Sequence, residues 1–334
     1  MSYNDKKYII ATDHIQPDTG ADASAAIQSL IDSNPNRTIF FPDGVYCLEH
    51  PILTPAHPKK SVDLQLSNYA CFKAAANWSG DEAMIRLGAK DPANNISIPG
   101  SNYGICGGII DGSGVAVALS IDGGRETYVR NINIKNTVLG LHIKRGANNG
   151  SSDADISSVN IVGNGSEESM GVLIEGFDNT LTNLRIANVF IGVEVRSGGN
   201  MLRNIHPLFY LRGAPYKESI GFSVKDSMNW FDYCYSDQFS VGFDTVGGGI
   251  YKNCFCWWYS DKDPLHVAMR SREPFFGTVD TLMIGGMYAS GHPNRFMETD
   301  VISDTADVRN VVICLNDGSR RVINGTDRGG SEPG

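Results

Sequence analysis

Two short patterns of alternating apolar and polar residues recur from about residue 104 onward. The first has the form Gly-apolar-x-apolar. It appears as Gly140-Leu141-His142-Ile143, Gly171-Val172-Leu173-Ile174, Gly192-Val193-Glu194-Val195, Gly221-Phe222-Ser223-Val224 and Gly242-Phe243-Asp244-Thr245. Pro264-Leu265-His266-Val267 reads as a degenerate copy. The second pattern is polar-apolar-x-apolar and begins at Asn131, Ser158, Asn183, Asn204, Asp232, Asn253, Thr281 and Asn310, so its first residue is Asn in five of eight copies. Short alternating runs at a spacing of ~20–30 residues predict strands stacked in a solenoid rather than a sandwich. A parallel β-helix also explains an Asn at constant phase, because stacked amides can satisfy backbone groups left unpaired in a buried turn.

The N-terminal segment is patterned differently. Asp22 is placed to cap a helix with Ala23, Ala26, Ile27, Leu30 and Ile31 on one face, ended by Asn34-Pro35. A strand at Thr38–Phe41 and a turn at Pro42-Asp43-Gly44 follow. The organisation expected is a cap leading into the first rungs over 1–60, a β-helix over 61–314, and a flexible tail over 315–334.

Composition narrows the function classes. Of 334 residues, 41% are apolar and 37 are Gly, too apolar for a disordered chain and too Gly-laden for a helix bundle. The net charge of −9 opposes non-specific nucleic-acid binding. The sequence has no apolar run of the ~18 residues that would predict a membrane span. The N-terminal residues lack an apolar signal core, and both a cytoplasmic and a secreted location fit the sequence. Cys47, Cys71, Cys106, Cys234, Cys254, Cys256 and Cys314 match no zinc spacing and read as free thiols, so neither metal nor cofactor is expected.

The segments Asp18-Thr19-Gly20-Ala21-Asp22, Phe40-Phe41-Pro42-Asp43-Gly44-Val45-Tyr46 and Gly107-Gly108-Ile109-Ile110-Asp111-Gly112-Ser113-Gly114 carry a resemblance. With the repeats, they resemble the pectate-lyase and polygalacturonase superfamily, including its phage-tailspike members. The resemblance covers most of residues 10–315. It implies an all-β, single-stranded right-handed parallel β-helix with three strands per rung and a short N-terminal capping helix. It also implies a sugar groove on the Gly-apolar-x-apolar strand and a carbohydrate substrate. A tailspike-type member is expected to be a homotrimer. The Asn-Thr-Asp, Asp-Asp, Gly-His-Gly and Arg-Ile-Lys segments of polygalacturonases have no counterpart here.

Alternation turns the x residues outward. The predicted first-strand column is His142, Leu173, Glu194, Ser223, Asp244 and His266, and two residues further along it is Lys144, Glu175, Arg196, Lys225 and Val246. Glu194 and Asp244 stand two rungs apart with small Ser223 between them. That fits the ~6.5–9.5 Å between the acid and base of an inverting glycosidase. The expected roles are Asp244 as base, kept ionised by Lys225, Glu194 as acid and His266 as helper, with Asp237 a further catalytic candidate. Substrate contacts are assigned to Arg196, Lys225, His142, Lys144, Arg212, Trp257 and Trp258. A polysaccharide lyase using Lys and Arg is the alternative, since uronate elimination needs charge neutralisation and a strong base. A non-catalytic glycan-binding module is the second alternative. Asp232 is read as part of the Asn ladder, and His206 as an isolated surface or loop residue.

Overall fold

The computed structural model describes residues 8–90, 103–145, 152–209, 218–258, 266–286, 295–298, 302–314 and 318–325. It forms two compact units, Met1–Asn164 with Val172–Thr180, and Gly165–Gly171 with Leu181–Gly334.

In the first unit, the capping helix spans Ser24–Ser33 and buries Ile27, Leu30 and Ile31; Ala26 is exposed rather than part of the apolar face. Asp22 Oδ1 accepts hydrogen bonds from the Ser24 amide at 2.9 Å and the Ser24 hydroxyl at 2.5 Å, compensating orphan donors of the first turn. Gln28 ties the helix to strand Ile52–Pro55: its amide donates to Leu53 O (3.1 Å) and accepts from Leu53 N (2.8 Å). Three stacks of parallel strands follow. Ile52–Pro55, Ile85–Lys90, Val117–Ile121 and Leu139–Ile143 make one. Tyr8–Ile10, Arg37–Phe41 and Val62–Leu66 begin the second; Gly44–Leu48 and Ala70–Ala74 begin the third.

The second unit repeats this plan. Its first-strand sheet is Ile191–Val195, Ile220–Val224, Val241–Thr245, Val267–Ser271 and Arg295–Glu298, all parallel. The other strands are Met201–Leu208, Trp230–Asp232, Tyr235–Asp237, Ile250–Trp258, Thr278–Gly286 and Asp307–Cys314. Arg320–Ile323, within the segment read as a tail, pairs antiparallel with Asp307–Cys314. Inward residues stack ring on ring: Phe222 on Phe243 at 4.7 Å, and Phe231 on Tyr251 at 4.9 Å. Burying one such side chain contributes about 1.5–3 kcal/mol.

The recurrent Gly of the first strand is a matter of space. A Cβ on Gly192 would lie 2.4 Å from Gly221 O, and one on Gly242 would lie 2.6 Å from Ala268 O. The copy after Gly242 carries Ala268 in the glycine's place. Its strand therefore begins at Val267, not at the degenerate Pro264–Val267 copy.

The Asn positions are stacked, but the reason differs from the one expected. Asn131, Ser158, Asn183, Asn204, Asn253, Thr281 and Asn310 take left-handed backbone angles on partly or fully exposed positions. Asn tolerates that region better than other L residues. At Asn131 the backbone N–H is met by the next coil, donating to Ser157 O at 3.1 Å, and at Asn310 it donates to Asn324 Oδ1 at 2.8 Å. Asp232 departs from the pattern, since Tyr233 takes the left-handed angle. Asp232 still belongs to the ladder: Asn253 Nδ2 donates to its Oδ1 at 3.1 Å, as Asn204 Nδ2 does to Asn183 Oδ1 at 3.0 Å. The buried amide stack lies at another corner. Asn200, fully buried, donates to Asn229 Oδ1 through N (3.0 Å) and Nδ2 (3.2 Å), and Asn229 Nδ2 donates to Ser197 O (2.9 Å).

All seven cysteines are free, and Cys71, Cys234, Cys254 and Cys256 are buried. Burial pushes the Cys254 thiol up to about 12, leaving it protonated at neutral pH.

Candidate functional site

In the second unit, the first-strand sheet places Glu194, Ser223, Asp244, Arg270 and Glu298 side by side across successive coils. His266 does not belong to this column. It precedes the strand, is buried, and stacks on Trp258 at 5.1 Å. Arg270 stands where His266 was expected, because Ala268 conceals the repeat. Arg272, two residues on, is the second cation that reading the repeat missed.

Asp244 is the centre of the charge arrangement and is 0% exposed. Arg270 Nε donates to its Oδ1 at 3.0 Å, and Arg272 donates through Nη2 to Oδ2 at 2.6 Å and through Nε to both oxygens at 3.1 Å. Lys225 Nζ stands 3.7 Å from Oδ2. Burial pushes the Asp244 carboxyl up. The hydrogen bonds and charges of Arg272 and Arg270 outweigh that and hold it below the ordinary carboxylate range. The lowering expected of Lys225 thus comes from two arginines. Arg270 also donates to Glu218, which together with Asp244 raises the guanidinium's proton affinity.

Glu194 is 7% exposed. It accepts from Arg196 Nε at 2.6 Å and from the Ser223 hydroxyl at 3.1 Å. The layering is the same at Glu194 and Asp244. Of the column carboxylates Glu194 and Asp244 are buried and Glu298 is exposed, while the side chains of Arg196, Arg272 and Lys225 are 47%, 53% and 35% exposed. Buried acids hold the cations in place, and the cations form the outer surface. Such an array offers charge-assisted hydrogen bonds to a carboxylate or similar anion.

The remaining expected residues fall elsewhere. In the first unit, His142 Nε2 pairs with Glu175 Oε2 at 2.8 Å. Lys144 Nζ pairs with Glu82 at 2.6 Å and Asp122 at 3.4 Å. Trp258 is buried and donates through Nε1 to Phe239 O at 2.7 Å, which makes it core rather than a sugar-facing ring. Trp257 is half-buried beside Asp237 on the neighbouring strand. His206, read as isolated, stacks on Tyr235 at 4.1 Å and approaches Asp237 Oδ2 at 3.5 Å. Its alternation with Asn204 in the second pattern was the available signal. Arg212 lies outside the described residues.

No protein-family model and no curated relative matches the sequence. Solved structures do match in fold. The bacteriophage phi29 gene product 12 N-terminal fragment matches with a TM-score of 0.68 at 13% identity, over 93% of this chain and 58% of that one. Geobacillus virus E2 ORF18 matches at 0.62 and 14% identity, over 92% and 61%. A tailspike protein of Escherichia coli bacteriophage HK620, solved in complex with a hexasaccharide, matches at 0.61 and 12% identity, over 91% and 65%. The chain thus spans about three fifths of the length of the two viral proteins named first. With its stacked parallel strands, N-terminal capping helix and residues matched across nine tenths of its length, the chain has the right-handed parallel β-helix fold of phage tailspike proteins.

Proposed function

We propose that this chain is a tailspike-type carbohydrate-binding module and that the first-strand face of its second unit holds an acidic saccharide. The observation that carries this reading is the layering of charge: Asp244 and Glu194 lie underneath, and Arg196, Lys225 and Arg272 lie on top. A uronate or other anionic substituent meets preorganised donors there. The hexasaccharide bound by the HK620 tailspike supports the choice of a glycan as ligand. Titration with trigalacturonate and with maltotriose tests the reading. Binding of the acidic sugar, weakened as salt rises, is expected; equal affinity for both sugars would overturn it.

A second reading is cleavage, favoured by Glu194 and Asp244 on alternate coils with Ser223 between them. Asp244 would act as base on a water and Glu194 as acid at the leaving oxygen. For this, Asp244 must give up a hydrogen bond to Arg272 or Arg270. Release of new reducing ends supports hydrolysis, and ultraviolet-absorbing unsaturated ends support elimination with Lys225 as base. A loss of turnover under about tenfold in Asp244→Asn removes Asp244 as the base. Assembly as a homotrimer belongs to the same proposal, and sedimentation equilibrium tests it.

A further inference from the structure

A row of rings runs along another face of the second unit. His206 stacks on Tyr235 (4.1 Å, 14°), Tyr235 leans on Phe255 (4.8 Å, 33°), and Phe255 meets Trp257 (5.8 Å, 49°). All four are partly exposed. Beside this row, Leu208, Asp237, Trp257 and Gly285 are aligned across consecutive strands. A Cβ on Gly285 would sit 2.9 Å from the Trp257 ring, so the indole lies over bare backbone at that point.

Two polar groups beside this ledge are left unmet. Asp237 is 8% exposed; its Oδ2 is 3.5 Å from His206 Nε2, and its Oδ1 has no hydrogen-bond partner among the described residues. The next residue, Gln238, is also buried and takes a left-handed backbone angle, with its amide N–H donated to Trp257 O at 2.9 Å. Its Nε2 likewise has no partner. An unmet buried acceptor or donor costs the full desolvation of that group, which is why such groups in folded proteins mark a ligand or an ordered water. Here an acceptor and a donor stand in consecutive residues, at the edge of an aromatic surface.

That combination matches one ligand chemistry. A sugar hydroxyl donates and accepts, and so can serve both the carboxylate and the amide, while the C–H face of the ring lies against an aromatic edge or face. A cation would meet Asp237 but give Gln238 no acceptor, and an anion would oppose the Asp237 carboxylate. We propose that Asp237, Gln238, His206 and Trp257 form a subsite for a neutral sugar residue. Turns of the Asp237 carboxylate and the Gln238 amide about their soft terminal torsions present Oδ1 and Nε2 to the ligand. This subsite is separate from the acidic-saccharide face, and neither proposal needs the other.

The test is saturation-transfer NMR on the full chain with the methyl glycosides of glucose, galactose, mannose and N-acetylglucosamine, and with methylammonium as a separate probe. At least one glycoside should receive saturation, and Asp237→Ala and Trp257→Ala should each cut the signal about fivefold or more. Trp257→Phe serves if the alanine variant fails to fold. Asp237→Ala should melt no lower than the parent, since it removes an unmet buried acceptor. Transfer to none of the glycosides, as when water alone fills the site, would overturn the proposal. So would unchanged transfer in both variants, or binding of methylammonium only. A lower melting temperature for Asp237→Ala, marking it as a structural clamp on His206, would also count against it.

Discussion

In both units cations of the first-strand face cover a largely buried carboxylate, and the two differ in which group of the cluster is the most exposed. In the first unit, Arg86 and Lys144 both reach Asp122, and Lys144 also meets Glu82, whose side chain is 49% exposed. His142 faces a more exposed Glu175. Asp122, its side chain only 9% exposed, lies beneath Arg86 and Lys144, and the most exposed group of that cluster is the Glu82 carboxylate. Around Asp244 and Glu194 in the second unit the most exposed groups are Arg272 and Arg196, over a fully buried Asp244. A polar outward column is therefore not in itself a site. What separates a solvated face from a ligand-reading one is which sign of charge is the most exposed.

The sharpest way to break this contrast is to remove the exposed cations of one face and then of the other. Arg196→Gln with Arg272→Gln should lower affinity for trigalacturonate about 100-fold or more, given roughly 1.5–3 kcal/mol for each charge-assisted hydrogen bond. Lys144→Gln should change it less than about twofold. Calorimetric titration reads both.

Stability sharpens the contrast next. Asp244→Asn leaves Arg270 and Arg272 without their buried counter-charge and should cost about 2–3 kcal/mol in urea unfolding. Glu82→Gln breaks pairs in which Glu82 itself is about half exposed and should cost about 0–1 kcal/mol.

The pH dependence follows from the same aspartate. Its carboxyl is depressed in the folded chain, so the stability it contributes is complete above the unfolded value near ~3.9 and is lost as pH falls through the lower folded value. Asp244→Asn should accordingly flatten the fall in stability below about pH 4, where Glu82→Gln leaves it in place. Melting curves between about pH 2 and pH 6 check this.

The smallest effect concerns the ladder. Tyr233 takes a left-handed angle at a position where the neighbouring coils use Asn204 and Asn253. Tyr233→Asn should raise stability by about 0.5–1 kcal/mol, read from the urea midpoint.

How far the fold was legible can be traced through single residues. Gly192, Gly221 and Gly242 recur because a Cβ there would meet the next coil, so the repeat in sequence is the contact in space. The Asn positions recur because the left-handed turn recurs. Both signals fail where another residue fits the same geometry. Ala268 replaces the glycine and displaced the expected register by a few residues, hiding Arg270 and Arg272 and admitting His266 in their place. Tyr233 replaces the Asn and drew attention to Asp232 one position early. Charge layering was the least legible feature. Alternation tells which residues point outward, but not that Asp244 lies beneath Arg272, which depends on side-chain length and on partners more than twenty residues away. The pairing of His206 with Asp237 was hidden for the same reason, since the two meet only across neighbouring coils.

A structure with trigalacturonate bound tests the central claim most directly. The account predicts a sugar carboxylate within hydrogen-bond reach of Arg196, Lys225 or Arg272, with Asp244 still held beneath its arginines. A trisaccharide seated away from these three cations, or one that touches them only through neutral hydroxyls, would contradict it.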